Sequence, residues 1–321
     1  MGEFKNTLRA NSTEEIALIL SFVYKILVGK SLILEIIVQY FLTDLTPLLT
    51  SLKFYPALIK IGLFLLVWVV FWLPIAVPLG KFLQWNPLNS PTPQQKLPLL
   101  ASLYLLVPLM IWLILQGDDL SLVDYGLIWN QELLRSLLVG LILGLGGLGF
   151  IFGIESLLGW VKWQNQHFTR LISLSIPLLL LGLWVGLTEE ILFRGVFFTQ
   201  LQQDYPFWGA ALISSIIFAL LHLLWERSAT IPQLPGLFLM GIILVIARWA
   251  DDGNLGVAWG LHAAWVWGLA SLDAAELLTY PETSPDWGVG MGKQPLAGMA
   301  GIGCLLVTGL VLWKLFAETV I

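Results

Sequence analysis

Long apolar runs without a single charge dominate this chain and decide what it can fold into. A bilayer core about 30 Å thick is crossed by about 20 apolar residues in a helix. Windows of that kind cover 61–80, 97–116 and 136–154. A fourth begins at Leu171 and runs on through two glutamates, and others cover 207–225, 232–247, 253–272 and 295–313. A closed β-barrel is the other architecture that leaves no backbone group unpaired in lipid. Runs such as 174–181 do not alternate as barrel strands do. The expected fold is therefore all-α, a polytopic membrane helical bundle of about eight transmembrane helices.

Composition agrees. Of 321 residues, 58% are hydrophobic and 12% charged, about half the charge of a soluble globular protein. That excludes a soluble enzyme, a disordered chain and a nucleic-acid-binding domain. The net charge of −5 points to no polyelectrolyte partner. Cys304 is the one cysteine, so no intramolecular disulfide and no cysteine zinc cluster can form.

The first fifty-five residues read differently. Residues 1–15 are polar and lack the cationic start and apolar core of a signal peptide. Asn6 stands where a myristoylation signal needs Ser or Thr. Residues 16–45 are apolar yet carry Lys25, Lys30 and Glu35, the pattern of an amphipathic helix lying on the membrane surface. The expected division is 1–55 for this N-terminal segment and 56–321 for the transmembrane domain. The glycine run at 141–149 looks superficially like a phosphate loop, but it lies within a span, where small residues let helices approach closely. No internal repeat is evident, which argues against an inverted-repeat transporter. Assigning loops to two faces puts Lys53, Lys60, Arg135, Arg248 and Lys314 against Lys81, Lys96, Lys162, Arg170, Arg227 and Lys293, which leaves orientation open.

Ionisable residues within spans cost a few kcal/mol each at the helix centre and need a reason. Three places stand out: Glu189, Glu190 and Arg194 in one span, His222 in the next, and His262 in a third. With a continuous helix to Gln200, Glu189 lies roughly 16 Å in from one membrane face, and His222 roughly 22 Å and His262 roughly 14 Å in from that same face. Three helices thus present Glu, His and His within one slab about 8 Å deep. Glu190 and Arg194 are spaced i,i+4 in the favourable order for an ion pair. Arg194 cannot shed its charge and needs that carboxylate. Glu189 is rotated about 100° away and is free to act as a general base. The histidines can orient water, stabilise an oxyanion or bind a metal. A lone intramembrane histidine or Glu–Arg pair is ordinarily packing glue, but three such features at one depth point to a site. His167 reads as solvated, and Glu226, four residues past His222, is placed to orient it.

Glu189-Glu190-Ile-Leu-Phe-Arg194, then Phe218-Ala-Leu-Leu-His222, then His262 resemble the CPBP family of intramembrane proteases, which includes CAAX prenyl endopeptidases and bacteriocin-processing or self-immunity proteins. The family's motifs are Glu-Glu-x-x-x-Arg, Phe-x-x-x-His and His-x-x-x-Asn on successive membrane helices, and the resemblance covers about 171–272. It implies that Glu189 activates water for peptide hydrolysis, supported by Glu190 and Arg194, with His222 and His262 completing the site. It also implies Zn2+ held by Glu189, His222 and His262 if a metal is used, although no His-Glu-x-x-His is present. One departure stands out: Val266 occupies the position of the family's Asn, an oxyanion donor. Trp265 and Trp267 are the nearby N–H donors.

The expected function is an intramembrane endopeptidase in a bacterial-type cell membrane or an internal membrane. Its expected partners are membrane lipid and a peptide or protein substrate, lipidated or not, and no nucleic acid. The alternatives are a non-catalytic scaffold or immunity protein of the same fold, and a proton-coupled transporter using the same buried Glu and His.

Overall fold

The computed structural model describes residues 51–87, 89–117, 120–225 and 227–317. The surface helix expected at 16–45 lies outside the described residues, as does Glu226. Helix α1 spans Ala57–Phe82. Helices α2 (Pro93–Tyr104) and α3 (Val107–Gly117) make one crossing, interrupted at Leu105 and Leu106. Pro108 explains the interruption: it has no N–H to return to the Tyr104 carbonyl, and its ring crowds the preceding turn. The Trp68 indole of α1 donates to the Leu103 carbonyl at this break, at 3.0 Å. Helix α4 (Gln131–Leu157) starts on Asn130, whose side chain accepts from the Leu133 N–H.

One long element follows. Helix α5 (Phe168–Glu190) passes into a π-helical stretch, Ile191–Phe197, and then into α6 (Phe198–Asp204). Helices α7 (Phe207–Leu221), α8 (Leu234–Ala250), α9 (Gly256–Ala274) and α10 (Met299–Ala317) complete the bundle. Strands β1 (Lys162–Trp163) and β2 (Leu278–Thr279) pair antiparallel at the end where α4 and α9 finish. Among the described residues, six helical segments are long and apolar enough to cross a membrane. The other two expected crossings are helical, as α9 and α10, but do not join that set. For α9 the reason is its position. Every residue from Gly256 to Trp265 is buried, so the helix is enclosed by protein and need not satisfy lipid.

Glycine sets how α9 is enclosed. A Cβ on Gly260 would stand 2.1 Å from the Leu137 carbonyl oxygen, and one on Gly140 would stand 2.3 Å from that of Val257. The backbones of α4 and α9 therefore touch, as small residues permit. On the other side, Gly182 and Gly186 of α5 meet Ala263 and Trp259. Within the run at 141–149, Gly144 packs on Ala264 and Gly147 on Cys304, whereas Gly146 and Gly149 meet nothing within 4 Å. The turn entering α9 is pinned too. Asp251 accepts from the Val257 N–H at 3.1 Å and from the Ser136 hydroxyl at 2.6 Å, capping α9.

Gly260→Val is expected to force α4 and α9 apart and to cost at least the 1–3 kcal/mol typical of overpacking, whereas Gly146→Val falls within about 0.5 kcal/mol of wild type. Unfolding of the two variants in detergent, followed by circular dichroism, checks this.

Candidate active site

The local helix geometry comes first. Regular α-helix was expected through Gln200, but the backbone widens over Ile191–Phe197, and all seven of these residues are buried. Widening frees carbonyls from their usual partners, and side chains from neighbouring helices take them up. Ser214 of α7 donates to the Phe193 carbonyl at 2.9 Å. Arg248 of α8 donates to the Arg194 carbonyl, to that of Gly195 at 3.5 Å and to the Thr199 hydroxyl at 2.9 Å. Arg248 was counted above among the cations of a membrane face. It is instead buried, as an internal clamp that also reaches the Asp124 and Gly253 carbonyls. Such widenings are frequent at functional sites, and this one begins directly after Glu190.

Glu190 is fully buried and holds two partners with one oxygen. Its Oε1 accepts from Arg194 Nη1 at 2.9 Å and from His262 Nδ1 at 2.7 Å. A carboxylate only accepts, so His262 carries a proton on Nδ1, and in the neutral imidazole Nε2 then presents a lone pair on the other side. That Nε2 lies 3.6 Å from Glu189 Oε2. The separation is too long for a hydrogen bond. Glu189 Oε2 is buried and has no hydrogen-bond partner. Its other oxygen, Oε1, accepts from the Tyr104 hydroxyl. Tyr104, on the neighbouring crossing, is a site residue the sequence reading missed. Its signal was its place as the lone tyrosine in the 97–116 window.

Arg194 has a second support. Its guanidinium carbon lies 4.3 Å from the centre of the Phe218 ring, a cation–π contact that suits a charge withdrawn from water. Arg194 Nη2 also donates to the Gly241 carbonyl at 3.2 Å. Phe218 in turn touches both histidines, with ring centres 4.6 Å from His222 and 6.1 Å from His262. The phenylalanine and arginine of the two motifs are thus one packing unit.

The five sequence-predicted residues are not equally close. Glu189, Glu190, Arg194 and His262 form one connected cluster. His222 stands at the end of α7, half-buried, and donates from Nδ1 to the Phe218 carbonyl at 2.8 Å. It makes no hydrogen bond or ion pair with the two glutamates. His167 is half-buried, against the Glu276 carbonyl at 3.0 Å. Val266 packs with the apolar core, and the Trp267 indole donates to the Ser175 carbonyl at 3.0 Å, away from the site. Among the described residues, no three His, Cys, Asp or Glu side chains gather closely enough to hold a metal ion. The donor set does not fit a three-ligand zinc site as the side chains stand.

Removing Arg194 strands the Glu190 charge. Arg194→Ala is expected to cost about 3–5 kcal/mol, as breaking one side of a buried pair does, and adding Glu190→Leu should recover part of it. Chemical or thermal unfolding of the purified variants in detergent measures both.

Comparison with known proteins gives one match. Residues 171–268 match the family model described as type II CAAX prenyl endopeptidase Rce1-like. No curated protein and no solved structure matches the chain. The matched residues contain Glu189, Glu190, Arg194, Phe218, His222 and His262, the residues on which the resemblance rested. Six helices long and apolar enough to cross a membrane and this match together make the chain an integral multi-pass membrane protein whose residues 171–268 are similar to the Rce1-like family.

Proposed function

We propose that the protein is an intramembrane endopeptidase in which Glu189 is the general base. One observation carries this reading. Glu189 Oε2 is buried and unpartnered, and it faces the open Nε2 of a histidine whose tautomer is fixed by a second carboxylate. A water touching both atoms has one acceptor to take its proton and another to hold its orientation. Attack of its oxygen on a peptide carbonyl carbon forms the C–O bond and moves the water proton to Glu189. Collapse of the tetrahedral intermediate breaks the C–N bond, and the proton passes from Glu189 to the departing amine. Glu190 and Arg194 act through His262 and are positioning residues. No step runs through a metal. His222 packs on the Phe218 ring, and its Nε2 is the polar group it offers to substrate.

A small apolar groove, with a cavity volume of about 130 Å³, lies between α1, α3 and the π-helical stretch, lined by Phe64, Val67, Met110, Val196 and Phe197. It connects to the site through aromatic contact. Phe64 packs on Trp68, and Trp68 stacks on Tyr104. An apolar stretch or a lipid chain of the substrate suits this groove. Val266, which supplies no donor where the family's Asn would stand, favours the second reading, a non-catalytic scaffold or immunity protein of the same fold.

Purified full-length protein in detergent, incubated with peptide and lipidated-peptide libraries, separates the two readings. Wild type is expected to cleave, and Glu189→Gln to lose at least about 10²-fold in rate, the lower end of a general-base contribution. Equal cleavage by both proteins overturns the role of Glu189. Stable capture of a partner with no cleavage by wild type favours the scaffold.

A further inference from the structure

Peptide hydrolysis builds negative charge on the carbonyl oxygen, and a hydrogen-bond donor aimed at that charge is commonly worth 10²–10³ in kcat. The donors near Glu189 are few and mostly committed. Arg194 is held through Nη1 by Glu190 and through Nη2 by the Gly241 carbonyl, and its buried Nε has no partner. His262 gives its Nδ1 proton to Glu190, and His222 gives its own to the Phe218 carbonyl. The Trp259 indole donates to the Leu183 carbonyl at 2.8 Å, and that of Trp267 to Ser175. Val266 has no donor to offer. The donor in direct contact with the base is the Tyr104 hydroxyl, which donates to Glu189 Oε1.

We propose that Tyr104 is a catalytic residue of this chain, supplying the hydrogen bond to the oxyanion of the tetrahedral intermediate. The assignment rests on the endopeptidase reading. The Tyr104 ring is buried and rigidly placed, stacked on Trp68 with centres 6.5 Å apart and edge-on to Trp184 at 6.0 Å. The break between α2 and α3 sets it at the end of its helix, facing α5. In the resting site its proton serves the Glu189 carboxylate. When Glu189 takes the proton of the attacking water, it becomes a neutral acid and a weaker acceptor, just as the carbonyl oxygen of the substrate becomes an anion. The Tyr104 O–H is then released to the stronger acceptor. No covalent bond to Tyr104 forms, and the phenol keeps its proton throughout. Because Glu189 Oε1 is the Tyr104 side and Oε2 the water side, a carbonyl attacked by that water lies within the same small space as the hydroxyl.

The experiment is steady-state cleavage of one library-selected peptide by full-length wild type, Glu189→Gln, Tyr104→Phe, Val266→Asn and the double variant Tyr104→Phe/Val266→Asn, each with a full pH profile and a thermal unfolding trace. Tyr104→Phe is expected to lower kcat by about 10²–10³ with KM within about threefold of wild type. The acid limb of its pH profile should stay in place, and Val266→Asn should restore at least about tenfold of the loss. Tyr104→Phe with kcat within about threefold of wild type overturns the assignment. So does a displaced acid limb with an unchanged plateau, which would mean that Tyr104 only holds Glu189, and so does a loss that merely follows unfolding. Inactive wild type overturns the endopeptidase reading itself, and the assignment with it. Active wild type with inactive Glu189→Gln and active Tyr104→Phe overturns the assignment alone.

Discussion

A charge inside a membrane has to be shared, and in this protein Glu190 Oε1 does the sharing. It takes hydrogen bonds from Arg194, four residues along its own helical element, and from His262 on α9. The first neutralises a guanidinium that cannot lose its proton in low dielectric. The second fixes the tautomer of His262 and hence which nitrogen faces Glu189. A purely structural ion pair would need only the first contact. The second makes the pair an orienting device, so the adjacent glutamates divide into one that holds and one that is left open.

The surrounding architecture serves this arrangement. Glycines at 140, 144, 182, 186 and 260 let α9 lie against the backbones of α4 and α5, so His262 sits in the middle of the bundle. The π-helical stretch turns Arg194 towards Glu190 and Phe218, and Arg248 and Ser214 take up carbonyls on that stretch. Arg248 also joins the turns around Asp124 and Gly253 to it. Two buried arginines in one membrane bundle thus have distinct work: one balances a carboxylate, and the other satisfies backbone.

Much of this was legible in the sequence. The apolar windows located the crossings because lipid demands long uncharged runs, and six of the eight expected crossings match it in length and apolarity. The i,i+4 spacing of Glu190 and Arg194 revealed their pair, and the depth arithmetic brought His262 to the level of the glutamates. What escaped were relations between helices. Arg248 read as a surface cation because its position near a helix end says nothing of the carbonyls across the bundle. The π-helical stretch escaped because the partners of its freed carbonyls, Ser214 and Arg248, lie on other helices. Tyr104 escaped because it belongs to another crossing, brought beside Glu189 by the break before Pro108. His222 matched the family motif in sequence, yet at the end of α7 it donates to the Phe218 carbonyl and bonds to neither glutamate.

The central claim is that a water between Glu189 and His262, and not the Glu189 carboxylate itself, attacks the peptide bond. A single-turnover reaction in water enriched in oxygen-18 tests it directly, with mass spectrometry of both the product and the protein. Attack by water places one heavy oxygen in the newly formed carboxylate of the product and none in Glu189. A product free of the label, with the heavy oxygen retained on Glu189, would mean a covalent acyl-enzyme and would contradict the account.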